Sequence, residues 1–135
     1  MDFKLELVLI PVTDVDRARD FYLRAGFALD VDTQVNDQMR VVQVTPHGSA
    51  CSVGFGTGIT EAAPGSAQGL HLVVSDIVAA RDELAGRQVD ISEVRHLEAG
   101  QWVPGPHPQR GSYESFADFA DPDGNVWVLQ EVNRA

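Results

Sequence analysis

A few polar and aromatic side chains in this sequence could do chemistry, and His71 comes first. It lies in the apolar run LHLVV (70–74), which has the character of a strand. An imidazole there can orient a ligand or exchange a proton with it near neutral pH. The alternative is a histidine that is hydrogen-bonded within a sheet and has no role in binding. The residue types alone leave both readings open.

A second group of candidates lies between Val94 and Phe116. This stretch has the Pro and Gly content of an irregular loop, and long loops in compact domains are usually functional or mobile. Trp102 could stack on a planar or cationic ligand, or fill a subunit interface. Tyr113 could fold over the mouth of a pocket beside it. We therefore expect the loop 95–115 to cover either a pocket or an interface.

The elements that must position these side chains come from an internal repeat. VTDVDRARD (12–20) and VSDIVAARD (74–82) agree at seven of nine positions when conservative pairs are counted. Asp14 and Asp76 predict helix N-caps, because a carboxylate can accept from the free N–H groups at a helix start. Gly26 predicts the end of the first helix. Each copy therefore contains a strand followed by a helix.

The second half of each copy predicts further strands. TPHG and DPDG each carry a Pro and a Gly that suit a turn between two strands. The predicted strands are Leu7 to Val12, Phe27 to Val31, Met39 to Thr45, Ser49 to Phe55, Leu70 to Val74, Val89 to Val94, Phe116 to Ala120 and Val126 to Val132. The pattern predicts an α+β fold made of two paralogous βαβββ units, about 5–58 and about 68–132, within a single domain of residues 1–135.

Composition limits the kinds of partner. The chain has 135 residues, is 44% hydrophobic and carries a net charge of −10, which argues against nucleic acid and suits a cationic ligand or a soluble surface. No apolar run is long enough to predict a membrane span or a signal peptide. The single cysteine, Cys51, excludes an intrachain disulfide, and a cytoplasmic location is expected.

Two motifs carry a family resemblance over most of the chain. PVTDVDRARDFY (11–22), followed by GF, and FADPDGNVWVLQE (119–131) resemble the vicinal oxygen chelate superfamily. That group contains glyoxalase I, extradiol dioxygenases, fosfomycin resistance enzymes and bleomycin resistance proteins. The resemblance implies a curved mixed sheet that forms a cup, helices on its outer face, a ligand inside the cup, and a homodimer.

The same resemblance locates the positions where metal-dependent members hold a divalent ion. Carried over by the motifs, these positions are Leu7, Gly69, Ser52 and Val128 in this sequence. None is a His, Gln, Glu or Asp, so the set offers no adequate donors for a catalytic cation. We therefore expect no metal and no other cofactor.

Strand alternation assigns the remaining candidates to faces. His71 and Gln130 share the cup face with Gly69 and Val128, whereas Trp127 points to the helix side as a core residue. The expected site contains His71 as a tentative catalytic residue, with ligand contacts from His71, Ser52, Gln130, Trp102, Tyr113, Leu7, Gly69 and Val128.

Three functions follow from these expectations. The first is a metal-independent protein that binds a hydrophobic, aromatic or cationic small molecule, similar to the bleomycin resistance group. The second is a metal-independent lyase, isomerase or cyclase with His71 as its acid or base. The third is a glyoxalase-like metalloenzyme.

Overall fold

The computed structural model describes residues 1–134 and divides the chain into two compact units. The first unit contains residues 1–67 and 121–125, and the second contains residues 68–120 and the residues from Val126 onward. Each unit has a helix and a mixed sheet in βαβββ order, and the second has one more strand. The predicted α+β class and the twofold repeat are confirmed.

The first unit holds a four-stranded sheet with one helix packed on strands from its middle. Strand order is β1-β4-β3-β2, with β1 parallel to β4 and the other pairs antiparallel. The elements are β1 (Leu7–Leu9), α1 (Val15–Arg24), β2 (Ala28–Asn36), β3 (Met39–Thr45) and β4 (Ser52–Thr57).

Helix α1 begins and ends where the sequence indicates. The Asp14 carboxylate accepts from the Arg17 N–H at 3.0 Å, and Gly26 has a φ of 103°. Its apolar stripe is buried, and the Tyr22 ring lies 5.6 Å from that of Phe55 on the sheet. The predicted cap and stop are confirmed.

The second unit holds a five-stranded sheet in the order β5-β9-β8-β6-β7, with β5 parallel to β9. Helix α2 packs on β8 and β9, and its N-cap is Asp76, which accepts from the Ala79 N–H at 3.1 Å. The elements are β5 (Leu70–Val74), α2 (Ile77–Gly86), β6 (Arg95–Glu98), β7 (Gln101–Pro104), β8 (Ser115–Ala120) and β9 (Val126–Glu131).

Two expectations for the second unit are wrong. The stretch 89–94 is no strand, since only Ile91 makes an isolated bridge, to Phe119. The stretch 95–115 is not wholly irregular, because β6 and β7 form a hairpin within it. Ala99 and Gly100 connect them with φ values of 49° and 79°, as a two-residue hairpin turn requires. Ala99 gives no turn signal in the sequence, so the hairpin was not recognisable.

Candidate functional site

One face of the second sheet collects four of the eight predicted site residues, His71, Trp102, Val128 and Gln130. His71 pairs with Val128 across β5 and β9, and Val73 pairs with Gln130. Along β9 the half-buried Val128 and Gln130 alternate with buried residues that include Trp127, which confirms Trp127 as a core residue. We call the side that carries His71, Val73, Val128 and Gln130 the open face of the second sheet.

An aromatic and charged cluster continues this open face across β8, β6 and β7. Phe116 pairs with Gln130 and also with Arg95, so the three share one face. The Trp102 and Phe116 rings meet edge to face at 5.6 Å. The Arg95 guanidinium lies 4.9 Å from the Trp102 ring centroid and 2.8 Å from an Asp118 carboxylate oxygen. We call Arg95, Trp102, Phe116 and Asp118 the Trp102 cluster.

Trp102 remains largely accessible within this cluster, since 53% of it is exposed. Arg95 covers part of the ring by a cation–π contact and is itself held by Asp118. An exposed indole held in place by two neighbours can stack a planar ligand without first becoming ordered. The cluster therefore suits recognition of a flat apolar group.

His71 has one ring nitrogen fixed by its own strand. Its Nδ1 lies 2.7 Å from the carbonyl oxygen of Gly69, and the side chain is exposed. A carbonyl can only accept, so Nδ1 carries the hydrogen. In neutral His71, Nε2 is then an unprotonated nitrogen that can accept a proton or a hydrogen bond from a ligand.

The first sheet has an open face of its own, which contains two more of the predicted residues, Leu7 and Ser52. Leu7 and Ser52 are paired across β1 and β4, and Leu9 pairs with Gly54. A Cβ at Gly54 would lie 3.3 Å from Leu7 Cδ1 and 3.2 Å from Leu9 Cδ2, so both leucines lie over this glycine. The Ser52 hydroxyl lies 2.6 Å from that of Thr45.

Strand pairing changes one correspondence between the two repeats. Counting back from the helix caps relates Leu7 to Gly69, but Leu7 pairs with Ser52 whereas Val128 pairs with His71. Gly69 precedes β5, is exposed and has a φ of 73°. By pairing, His71 is the second-unit counterpart of Leu7. The connection from β1 to α1 is longer than that from β5 to α2, which explains the difference.

The corrected positions still do not fit a catalytic metal ion. Leu7, Ser52, His71 and Val128 supply one imidazole, one hydroxyl and two aliphatic side chains, whereas such an ion needs several N or O ligands. Within residues 1–134, no three His, Cys, Asp or Glu side chains are grouped so that they could hold a metal.

Tyr113 lies outside the open face as defined above. It has a φ of 68°, its ring is exposed, and its N–H donates to the carbonyl oxygen of Glu131 at 2.8 Å. This bond holds the end of the loop beside β9. The nearby Arg110 guanidinium donates to the buried Glu131 carboxylate, so this part of the loop is fastened to the sheet.

Several residues of these faces were missed by the sequence reasoning. Arg95 could not be assigned a face because β6 was not predicted. Phe116 and Asp118 follow from alternation along the predicted strand 116–120, and that signal was available. Asp30 and Thr45, which join Ser52 in a hydrogen-bonded chain, gave no motif.

A separate shallow depression of about 610 Å³ follows α1 in the first unit. It is wide and largely charged, and none of the predicted site residues line it. Its lining residues are Asp14, Asp16, Arg17, Asp20, Phe21, Arg24 and Pro122. Binding pockets are usually apolar with a few polar groups, so the sheet faces are the better candidates.

Comparison with known proteins gives one family and several related structures. The model of the Glyoxalase/Bleomycin resistance protein/Dioxygenase superfamily matches residues 4–129. Among curated proteins none matches. Within the described chain, neither helix is long and apolar enough to cross a membrane.

Three solved structures at 30% identity or above illustrate the similarity. TnmS3, an antibiotic binding protein from Streptomyces sp. CB03234, is 31% identical, with 98% of each chain covered and a TM-score of 0.74. A glyoxalase/bleomycin resistance protein from the same strain is 32% identical, covering 94% of this chain and 99% of that one, with a TM-score of 0.70. A superfamily member from Sphaerobacter thermophilus DSM 20745 is 30% identical, covering 96% and 98%, with a TM-score of 0.72.

Proposed function

Because this chain belongs to the Glyoxalase/Bleomycin resistance protein/Dioxygenase superfamily, we propose that it binds a small, hydrophobic and planar aromatic molecule without a metal. TnmS3, which is 31% identical over 98% of this chain, is an antibiotic binding protein, and we extend small-molecule binding of that kind to this chain. The ligand contacts are assigned to the open face of the second sheet.

The Trp102 cluster is the observation that carries this proposal. Trp102 is 53% exposed beside Phe116, and Leu97, its partner across β6 and β7, is 47% exposed. Exposed apolar groups gathered on one face mark a binding surface more than scattered ones do. A planar ligand would stack on the indole, and Gln130 and His71 offer polar groups farther along the face. The net charge of −10 adds a preference for ligands without negative charge.

Fluorescence titration tests this assignment, because Trp102 is exposed while Trp127, the other tryptophan, is only 2% exposed. We expect saturable quenching by members of a panel of aromatic antibiotics and polycyclic aromatic compounds. Trp102→Leu should remove most of the signal, and calorimetry should show affinity weakened by about tenfold, the upper range for one aromatic stacking contact. Val35→Ala, at a similarly exposed apolar residue of β2, is the matched control and should bind normally. Normal affinity in the Trp102→Leu variant would place the ligand elsewhere.

A metal-independent enzyme is the second candidate, and the fixed orientation of His71 favours it. With Nδ1 bonded to Gly69, Nε2 of neutral His71 can act as a base toward a bound molecule. Mass spectrometry of ligands recovered after incubation separates the two candidates. Unchanged ligand supports binding alone. Conversion that is lost in His71→Ala, with binding retained, would establish catalysis.

Metal independence is part of the proposal and has its own test. Elemental analysis of protein purified without chelators should give far less than one Ni, Zn, Fe or Mn per chain. A stoichiometric metal that chelation removes together with ligand binding would overturn this part of the proposal.

We also propose that the protein is a homodimer. Phe3 and Leu5, near the start of the chain, are 91% and 71% exposed in the single chain, and association would cover them. Sedimentation analysis at micromolar concentration should give twice the mass of 14.7 kDa. Phe3→Ser together with Leu5→Ser should shift the protein toward the monomer, whereas a monomer in the wild type would refute the proposal.

A further inference from the structure

We propose that the open face of the second sheet selects, among planar aromatic molecules, those that carry a protonated amine, and that the Asp118 carboxylate pairs with this group. The proposal rests on the function proposed above, because it names the chemical class of ligand for the same site. All the side chains that carry it belong to the second unit.

Strand pairing places Asp118 in one row with His71. His71 pairs with Val128 across β5 and β9, and Asp118 pairs with the same Val128 across β8 and β9. Residues paired in this way point to the same side of a sheet, so the three side chains share the open face. Asp118 and His71 therefore lie on either side of an aliphatic residue, with Cα atoms about 10 Å apart from the usual strand spacing.

The Asp118 carboxylate keeps part of its capacity to accept hydrogen bonds. Its Oδ1 accepts from Arg95 Nη1 at 2.8 Å, whereas its Oδ2 accepts no hydrogen bond from residues 1–134. The side chain is 39% exposed, so a ligand can reach it. An ionised carboxylate only accepts, which means that Oδ2 suits a donor of the ligand and repels a ligand carboxylate.

Arg95, the cation of this face, is already engaged on several sides. Its Nη1 also donates to the Ser92 hydroxyl at 3.1 Å, and its guanidinium lies 4.9 Å from the Trp102 ring centroid. Arg95 approaches Asp118 from β6, and β9 lies on the other side of β8. The guanidinium therefore holds both the indole and the carboxylate in place. Because it contacts both, a single two-ring ligand can stack on Trp102 and still reach Asp118.

His71 supplies a second acceptor on the other side of Val128. With Nδ1 bonded to the Gly69 carbonyl, Nε2 of the neutral ring can only accept. An ammonium group above Val128 has three N–H donors and meets acceptors on both sides, directly or through a bridging water. The apolar surfaces of Val128 and Phe116 reduce screening, which strengthens the pairing with Asp118.

Three naphthalene derivatives serve as calorimetric probes near neutral pH: 2-naphthylmethylamine, 2-methylnaphthalene and 2-naphthoate. They share one ring system and carry a positive, a neutral and a negative substituent. We expect the wild-type protein to bind the amine about tenfold more tightly than the methyl compound, as a hydrogen bond to a charged group predicts. The naphthoate should bind no more tightly than the methyl compound.

Asp118→Asn keeps the shape of the side chain and leaves the charge of Arg95 uncompensated. The amine should then bind within about twofold of the methyl compound, and the naphthoate should bind more tightly than it does to wild type. Unchanged affinity for the methyl compound would show that Trp102 is still in place. Asp90→Asn is the matched control, because it removes the same charge from an exposed residue of the second unit outside its strands. It should keep the preference for the amine.

The outcomes separate this proposal from the one on which it rests. Equal affinity of wild type for the amine and the methyl compound, or tightest binding of the naphthoate, would overturn the preference for amines. Aromatic binding would still stand if the methyl compound binds and Trp102→Leu weakens it. A tenfold preference for the amine that survives in Asp118→Asn would overturn the role of Asp118. Failure of all three probes to bind wild type would refute aromatic binding itself, and this proposal with it.

Discussion

His96 is a buried histidine with both ring nitrogens engaged by acceptors. Nδ1 lies 2.7 Å from the carbonyl oxygen of Gly105, and Nε2 lies 2.9 Å from a Glu98 carboxylate oxygen. Since neither partner can donate, only the protonated ring can make both hydrogen bonds. The hydrogen bond to Glu98, followed by that to Gly105, raises the pKa of His96 above its ordinary value of 6.5, although burial opposes this shift.

A raised pKa in the folded protein makes stability depend on pH in a defined direction. The contribution of His96 is complete below the unfolded value of about 6.5 and is lost as pH rises through the higher folded value. Urea unfolding measured between about pH 5.5 and 9 should show this decline, and His96→Gln should flatten it. The neighbouring His107, whose ring lies 5.5 Å from that of His96, is present in the wild type and in the variant, so its titration does not account for a difference between them. An equal decline in the variant would assign the effect to other groups.

Glu131 is a buried carboxylate, only 1% exposed, whose charge is neutralised by a residue of the loop. It accepts two hydrogen bonds from Arg110, at 2.9 and 2.8 Å, and one from the N–H of Ile77 at the start of α2. The hydrogen bonds from Arg110 lower the pKa of Glu131 most, and the one from Ile77 lowers it further, although burial opposes the shift. Glu131 thus connects β9 to the start of α2 and to the loop between β7 and β8, which contains Arg110.

Removal of Arg110 should therefore destabilise the second unit. Arg110→Ala leaves a buried charge with one partner, and we expect a loss of about 2–3 kcal/mol in the free energy of unfolding, below the roughly 3–5 kcal/mol of a fully buried pair because water reaches the Arg110 side chain. Chemical denaturation measures this loss. Arg110→Ala combined with Glu131→Gln should recover part of it, and a double variant less stable than the single one would contradict the charge argument.

At the scale of elements, the turn 121–125 is built around Asn125, which is fully buried in the first unit. Its side-chain N–H groups donate to the Pro11 carbonyl and to Asp121, both at 2.8 Å, and its Oδ1 accepts from the Ala67 N–H at 3.0 Å. The Tyr22 hydroxyl donates to Asp121 at 2.7 Å. The motif therefore fastens distant segments of sequence to one turn.

Asn125→Ala should show how much this turn contributes to stability. Loss of three hydrogen bonds with buried partners predicts a decrease of about 2–4 kcal/mol in the free energy of unfolding. Asn36→Ala, at an exposed residue whose side chain accepts one backbone hydrogen bond, should cost less than about 1 kcal/mol. Similar losses in the two variants would show that the buried hydrogen bonds of Asn125 stabilise the protein no more than an exposed one does.

At the scale of the whole molecule, the net charge of −10 implies self-repulsion in the compact state. Added NaCl screens this repulsion, so we expect the midpoint of urea unfolding at pH 8 to rise between about 20 and 300 mM salt. Exposed ion pairs such as Arg81–Glu93 are weakened by the same screening but contribute little each. A midpoint that falls with salt would show that the ion pairs outweigh the repulsion.

The fold was largely predictable from local signals. Asp14 and Asp76 mark both helix starts, and β3 and β5 have the predicted bounds. These signals depend on residues close in sequence, so they can be recognised without knowledge of the tertiary structure. The β6–β7 hairpin was missed because its turn places Ala99 at a positive φ, a conformation that an alanine does not signal.

The composition of the two faces depended on strand pairing, which joins residues far apart in sequence. Alternation along a strand was enough to place His71 with Val128 and Gln130, because the period of two is local. Only the tertiary structure paired His71 rather than Gly69 with Val128, set Arg95 against Trp102, and brought the Asp30 carboxylate to the Thr45 hydroxyl. Register and bulges are decided by the fit between whole strands, and no single stretch of sequence specifies them.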